Sequence, residues 1–272
     1  KMVVKVVPEI EVMPGGQCIG VTLQSQGIMV VKNSYVLGQQ GKKHFPAQQA
    51  GIEIGDSLLQ VNGIQIKNKY HLAKLINKLG AQQDKLKFKV EKATGKVVSK
   101  TIDPVKSKQG YYMIGIYVDD GAAGVGTMSF YHPESNYYGA LGHMITELNT
   151  KLKIDVKKGE IVKANISGIN QGQTGKPGEK LGTFFSKRQA LGNIKKNNQF
   201  GIYGKLSSVP QNPYFDDPIP VASPSEVEEG FANIYTVIEG RKIEKFKVKI
   251  EEIKRQYQPR QKGLIIKIVD KE

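Results

Sequence analysis

The chain has 272 residues, 39% of them apolar, with 30 glycines, no tryptophan and one cysteine. That is enough for one large or two medium domains, favours turns and strands over long helices, and excludes a disulfide framework or a cysteine-based zinc site. The formal net charge is +15, but only Arg188, Arg241, Arg255 and Arg260 are arginine among 40 basic residues, and the lysines are dispersed, so no nucleic-acid partner is expected and only loose contact with an anionic membrane surface stays open.

Taken in order, the chain begins at Lys1; a signal peptide or N-terminal anchor would lie outside what can be read, and no run reaches the ~20 apolar residues of a membrane span. Pro14-Gly15-Gly16 separates a leader remnant, residues 1–13, from the first folded segment. Residues 19–31 read as two short strands around Gly27. Ala50-Gly51-Ile52-Glu53-Ile54-Gly55-Asp56 follows, then Leu59-Gln60-Val61-Asn62-Gly63, whose Asn-Gly pair marks a tight turn between apolar flanks. Leu72, Leu75, Ile76 and Leu79 recur at helical spacing with Gly80 as a stop, and Leu86, Phe88 and Val90 alternate as a strand.

In motif order and spacing, residues 14–104 resemble a PDZ domain. The resemblance implies an extended peptide added to a sheet edge, with its terminal carboxylate on backbone N–H groups. Ile19-Gly20-Val21 would form the carboxylate-binding loop, Ile28 would lie along the peptide, and Tyr70 and His71 would face the groove; the plainer reading of Leu72, Leu75 and Ile76 is core.

A polar connection at 105–110 precedes a second domain, 111–272, of many short strand-like pieces, which argues for an all-β barrel or sandwich. Thr127–Tyr131, a turn at 132–136 and Tyr137 onward read as a β-hairpin. Gly139, Ala140 and Gly142 leave room around His143, a residue type suited to general-base work near neutral pH. Asp119, Asp120 and Glu147 are the nearby carboxylates in sequence. His143 and Glu147 could share a helix face for a metal, but a third ligand is missing and there is no HExxH, so no metal and no cofactor are expected. Thr174-Gly175-Lys176-Pro177-Gly178 lacks P-loop order, and Pro177 removes an N–H donor, so it reads as a turn.

Ile114 to Met128, Tyr138-Gly139-Ala140-Leu141-Gly142-His143, Pro177-Gly178-Glu179-Lys180-Leu181, Phe200-Gly201-Ile202-Tyr203-Gly204 and the closing stretch to Val269-Asp270 together resemble the SpoIVB peptidase family. The resemblance implies a PDZ-containing serine endopeptidase of sporulation, secreted across or anchored at the forespore membrane, that signals between forespore and mother cell. It would cleave itself and a membrane-bound regulator of sigma-factor processing. It also implies His143 as general base, Asp270 as the carboxylate that orients it, and a glycine-flanked serine after the Asp270 position. The expected fold is mainly β with minor α: a PDZ domain followed by an incomplete chymotrypsin-like barrel. Ser129, Ser167, Ser207 and Ser208 lack the nucleophile's setting, so residues 1–272 are expected not to hydrolyse peptides alone. The competing reading is a non-catalytic PDZ scaffold with a degenerate peptidase domain.

Overall fold

A computed structural model describes residues 9–184, 190–256, 258, 260 and 262–270. Strands dominate it, and the helices among the described residues are Pro46–Gln49 and Lys69–Gly80. The mainly β expectation is therefore met. No helix among those residues is long and apolar enough to cross a membrane. The chain forms two compact units, one of residues 24–122 and 146–157, the other of 1–23, 123–145 and 158–272. Three of the four boundaries of this division fall inside the long strands Cys18–Asn33, Ile116–Tyr131 and Val156–Asn170, whereas the expected domains were 14–104 and 111–272. The expected linker at 105–110 is instead part of a small hairpin in which Val105 pairs with Met113 and Lys106 with Tyr112.

In the 24–122 unit, Ile28 and Met29 pair antiparallel with Leu58 and Ser57. Ser57–Val61 pairs with Leu86–Glu91, and that strand pairs with Val97–Ile102. Asn62 and Gly63 both take positive φ, 47° and 80°, as a two-residue hairpin turn requires, and Val61 pairs with Ile64 across it. The helix starts at Asn68, whose side chain accepts a hydrogen bond from His71 N at 2.8 Å. Its buried stripe of Leu72, Leu75 and Ile76 joins Ile28, Val30, Leu58, Leu86, Phe88 and Val90 in one core. Gly80 does more than stop the helix: a Cβ there would lie 2.8 Å from Tyr112 Cβ. Asp56 is buried to 1% exposure and bound by Lys92 Nζ at 2.8 Å, while Lys92 also reaches Glu53 at 2.6 Å.

The other unit contains the hairpin expected from the sequence. Tyr131 pairs with Tyr138, Phe130 with Gly139 and Met128 with Ala140, across a bulge. Tyr137–Ala140 then pairs with Gly201–Lys205, which pairs with Lys196–Asn198. The reading of residues 1–13 as a leader needs correction for its described end. Glu11–Pro14 is a strand, with Met13 opposite Tyr131 and Pro14 opposite Phe130. Gly15 follows because a Cβ there would sit 2.2 Å from Met128 O. A second antiparallel set joins Val156–Asn170 to Glu179–Phe184 and Gly192–Asn193. A third joins Gly230–Thr236, Glu244–Ile253 and Leu264–Ile268.

Candidate active site

Strand Tyr137–Ala140 delivers His143 through two successive residues of positive φ, Leu141 and Gly142, both at 73°. For leucine that conformation is strained by about 1–3 kcal/mol, so its surroundings must hold it. Leu141 N donates to Thr127 O at 3.1 Å. The Leu141 side chain lies over Gly126, where an added Cβ would come within 2.0 Å of Leu141 Cδ2. Beneath the turn, a Cβ on Gly201 would meet Ala140 O at 2.3 Å. On the far side of His143, the buried Asn197 side chain accepts from Ile145 N and donates to Ile145 O, both at 2.8 Å. The histidine is thus carried on a turn fixed at both ends.

The ring of His143 is exposed, and Nδ1 lies 2.9 Å from Met144 O. A carbonyl oxygen can only accept, so Nδ1 carries the proton and the neutral ring presents its Nε2 lone pair. That is the tautomer a general base needs. Asp270 follows the strand Leu264–Ile268, and its carboxylate accepts from Lys247 N. Among the described residues no hydrogen bond or ion pair joins His143 to Asp270; the tautomer is set by the Met144 carbonyl.

The other sequence-adjacent carboxylates are engaged elsewhere. Lys69 Nζ binds Asp119 at 3.3 Å and Asp120 at 3.9 Å, and the Asp119 hydrogen bond raises the lysine's pKa. Residues 143–147 form no helix, so His143 and Glu147 share no helix face. Glu147 is buried and closes a turn, accepting from Thr150 N at 2.6 Å and Asn149 N at 3.0 Å. Burial pushes its pKa up, but these hydrogen bonds outweigh it and hold the carboxyl below the usual range. Stability from such a group is full above the unfolded carboxylate pKa and is lost as pH falls through the folded one. Glu147→Gln should therefore be less stable than wild type above about pH 5, with the gap closing in acid, as pH-dependent urea midpoints would show. No group of three or more potential metal ligands gathers among the described residues.

The expected carboxylate-binding loop is corrected. Ile19, Gly20 and Val21 lie inside the continuous strand Cys18–Asn33 and are buried, and a Cβ on Gly20 would meet Phe184 Cγ at 2.3 Å. Their N–H groups belong to sheet interior rather than to an open loop. The Ile28 side chain, 3% exposed, is core, and its backbone pairs with Leu58. Tyr70 is 78% exposed at the start of the helix, and the neighbouring His71 Nδ1 accepts from Lys67 N at 3.1 Å.

Asn197 was not legible in the sequence, because its partner is the backbone 52 residues away. Removing it leaves Ile145 N–H and C=O without their side-chain partner, at about 1–3 kcal/mol. Asn197→Leu should lower the urea midpoint accordingly without changing the dependence on denaturant. Residues 110–272, more than half of the chain, match the family model described as SpoIVB peptidase S55. The span includes the His143 turn and Asp270, and the chain belongs to the SpoIVB peptidase S55 family, a family of sporulation peptidases.

Proposed function

We propose that the protein is a serine endopeptidase in which His143 Nε2 is the general base. The observation that carries this reading is the Nδ1–H to Met144 O hydrogen bond within the family-matched span, because it leaves Nε2 as the acceptor. The nucleophile is the glycine-flanked serine that the family places after the Asp270 position. Its hydroxyl attacks the peptide carbonyl, His143 takes the proton and returns it to the leaving amine, and backbone N–H groups stabilise the oxyanion. Asp270, held by Lys247 N, is in this reading the carboxylate whose charge favours the His143 imidazolium.

The substrates in this reading are the protein itself and a membrane-bound regulator of sigma-factor processing, met at the forespore membrane. The 24–122 unit serves as a PDZ-like peptide reader, with exposed Tyr70 and adjacent His71 as the surviving groove candidates. Labelling the complete gene product with a serine-reactive phosphonate tests the chemistry. Stoichiometric label on a glycine-flanked serine beyond residue 270, abolished by His143→Ala, is the expected result. Label on Ser129, Ser167, Ser207 or Ser208, or label indifferent to His143, would overturn the reading.

A further inference from the structure

Lys180 is a half-buried cation with no carboxylate within salt-bridge distance among the described residues. Instead its Nζ donates to two hydroxyls on two other strands, Thr236 Oγ1 at 2.5 Å and Thr127 Oγ1 at 3.3 Å. Lys180 itself stands on strand Glu179–Phe184. One amine thus joins three strands of the same unit that come from distant parts of the chain.

Both threonines lead towards the proposed catalytic groups. Thr127 uses its carbonyl to hold Leu141 N at 3.1 Å, which fixes the strained turn that presents His143. Thr236 ends strand Gly230–Thr236 and pairs with Glu244. The strand that begins at Glu244 carries Lys247, whose N–H holds the Asp270 carboxylate. Cys18, on whose thiol the Lys180 charge acts, belongs to a buried apolar cluster with Ala164, Ile166, Val237 and Ile243. Burial lowers the Lys180 pKa and raises that of Cys18, with Arg241 the other charge acting on the thiol. An ammonium kept in such a place without an acid is a costly choice for mere packing, and its directed hydroxyl bonds remain possible for the neutral amine, which keeps two donors.

We infer that Lys180 is a positioning residue for peptide hydrolysis, a clamp from strand Glu179–Phe184 that holds the His143 turn and the Asp270-bearing sheet in fixed relation. The inference rests on the reading of His143 and Asp270 given above. Misplacing a catalytic group by about 1 Å can cost about 10²-fold. In the complete gene product, Lys180→Met should lower kcat about 10- to 10²-fold with KM changed less than about twofold. Thr236→Val, which keeps the shape and removes one acceptor, should do the same to a smaller extent. Converting Lys180→Cys to aminoethylcysteine with bromoethylamine should restore most of kcat, since Cys18 is buried.

Amide exchange in residues 1–272 gives a readout independent of turnover: Leu141 and Lys247 should exchange faster in Lys180→Met, and Ile202 should not. His143→Ala run beside these variants separates the two failures. If His143→Ala cleaves at the wild-type rate, the reading of the site is wrong. If His143→Ala is inactive while Lys180→Met and Thr236→Val keep wild-type kcat and Leu141 exchange, the clamp is wrong, and Lys180 only stabilises the fold.

Discussion

Replacing His143 by alanine in the complete gene product should lower kcat/KM about 10⁴-fold or more, with the fold intact. Loss of a triad base leaves only what substrate binding and oxyanion stabilisation supply. The fold should survive because the ring is exposed and its bond in the structure goes to the next residue's carbonyl. The turn is held by other groups, namely Leu141 N on Thr127 O and Asn197 on Ile145. Peptide hydrolysis and thermal melting, measured on the same preparation, check both halves. His143→Gln is the stricter control, since its amide can keep a hydrogen bond to Met144 O yet cannot take up a proton at neutral pH. A variant that melts like wild type and cleaves like wild type would remove His143 from the chemistry.

The largest effect on stability is expected at Lys92. Asp56 is 1% exposed, and the Lys92 ammonium, 2.8 Å away, is its charged partner; Glu53 N donates to the same carboxylate oxygen at 2.9 Å. Lys92→Met leaves a buried carboxylate with backbone help but no opposing charge, which costs about 3–5 kcal/mol. Replacing the pair together, as Lys92→Met with Asp56→Asn, should recover part of that loss, because the buried charge goes with its partner. Urea unfolding of the two variants measures the difference. The Glu53 contact adds little, since that side chain is 72% exposed and its pairing is screened by water. Equal stability of Lys92→Met and wild type would mean that Asp56 is satisfied by backbone donors alone.

The elements legible in the sequence were those whose causes are local. Asn62-Gly63 demanded positive φ at both positions and formed the turn. The 3.6-residue spacing of Leu72, Leu75 and Ile76 placed the helix and its buried face. Residues 127–140 announced a hairpin by strand-turn-strand pattern, and the register followed. Long-range packing decided the rest. Gly27 looked like a break between two strands, yet it sits inside one strand where Ser57 and Leu59 would lie 2.9 Å from an added Cβ. Residues 19–31 read as strand, but their pattern could not reveal that Ile19–Val21 are buried where the PDZ resemblance implied an open loop. Glu147 had helical spacing from His143, but its carboxylate found two N–H donors within three residues and made a turn instead. Asn197 and Lys180 act on partners more than 50 residues away, and nothing in their neighbourhoods announces those contacts.

The proton on the His143 ring decides most directly whether Nε2 can act as the base. Long-range ¹⁵N–¹H correlation spectra of ¹⁵N-histidine-labelled protein, with His143 assigned by comparison with His143→Gln, distinguish the two neutral tautomers. At a pH where the ring is neutral, the proton should sit on Nδ1, donated to Met144 O, with Nε2 showing the shift of an unprotonated ring nitrogen. A proton on Nε2 would leave that nitrogen a donor, unable to accept from a serine, and would contradict the assignment of His143 as general base.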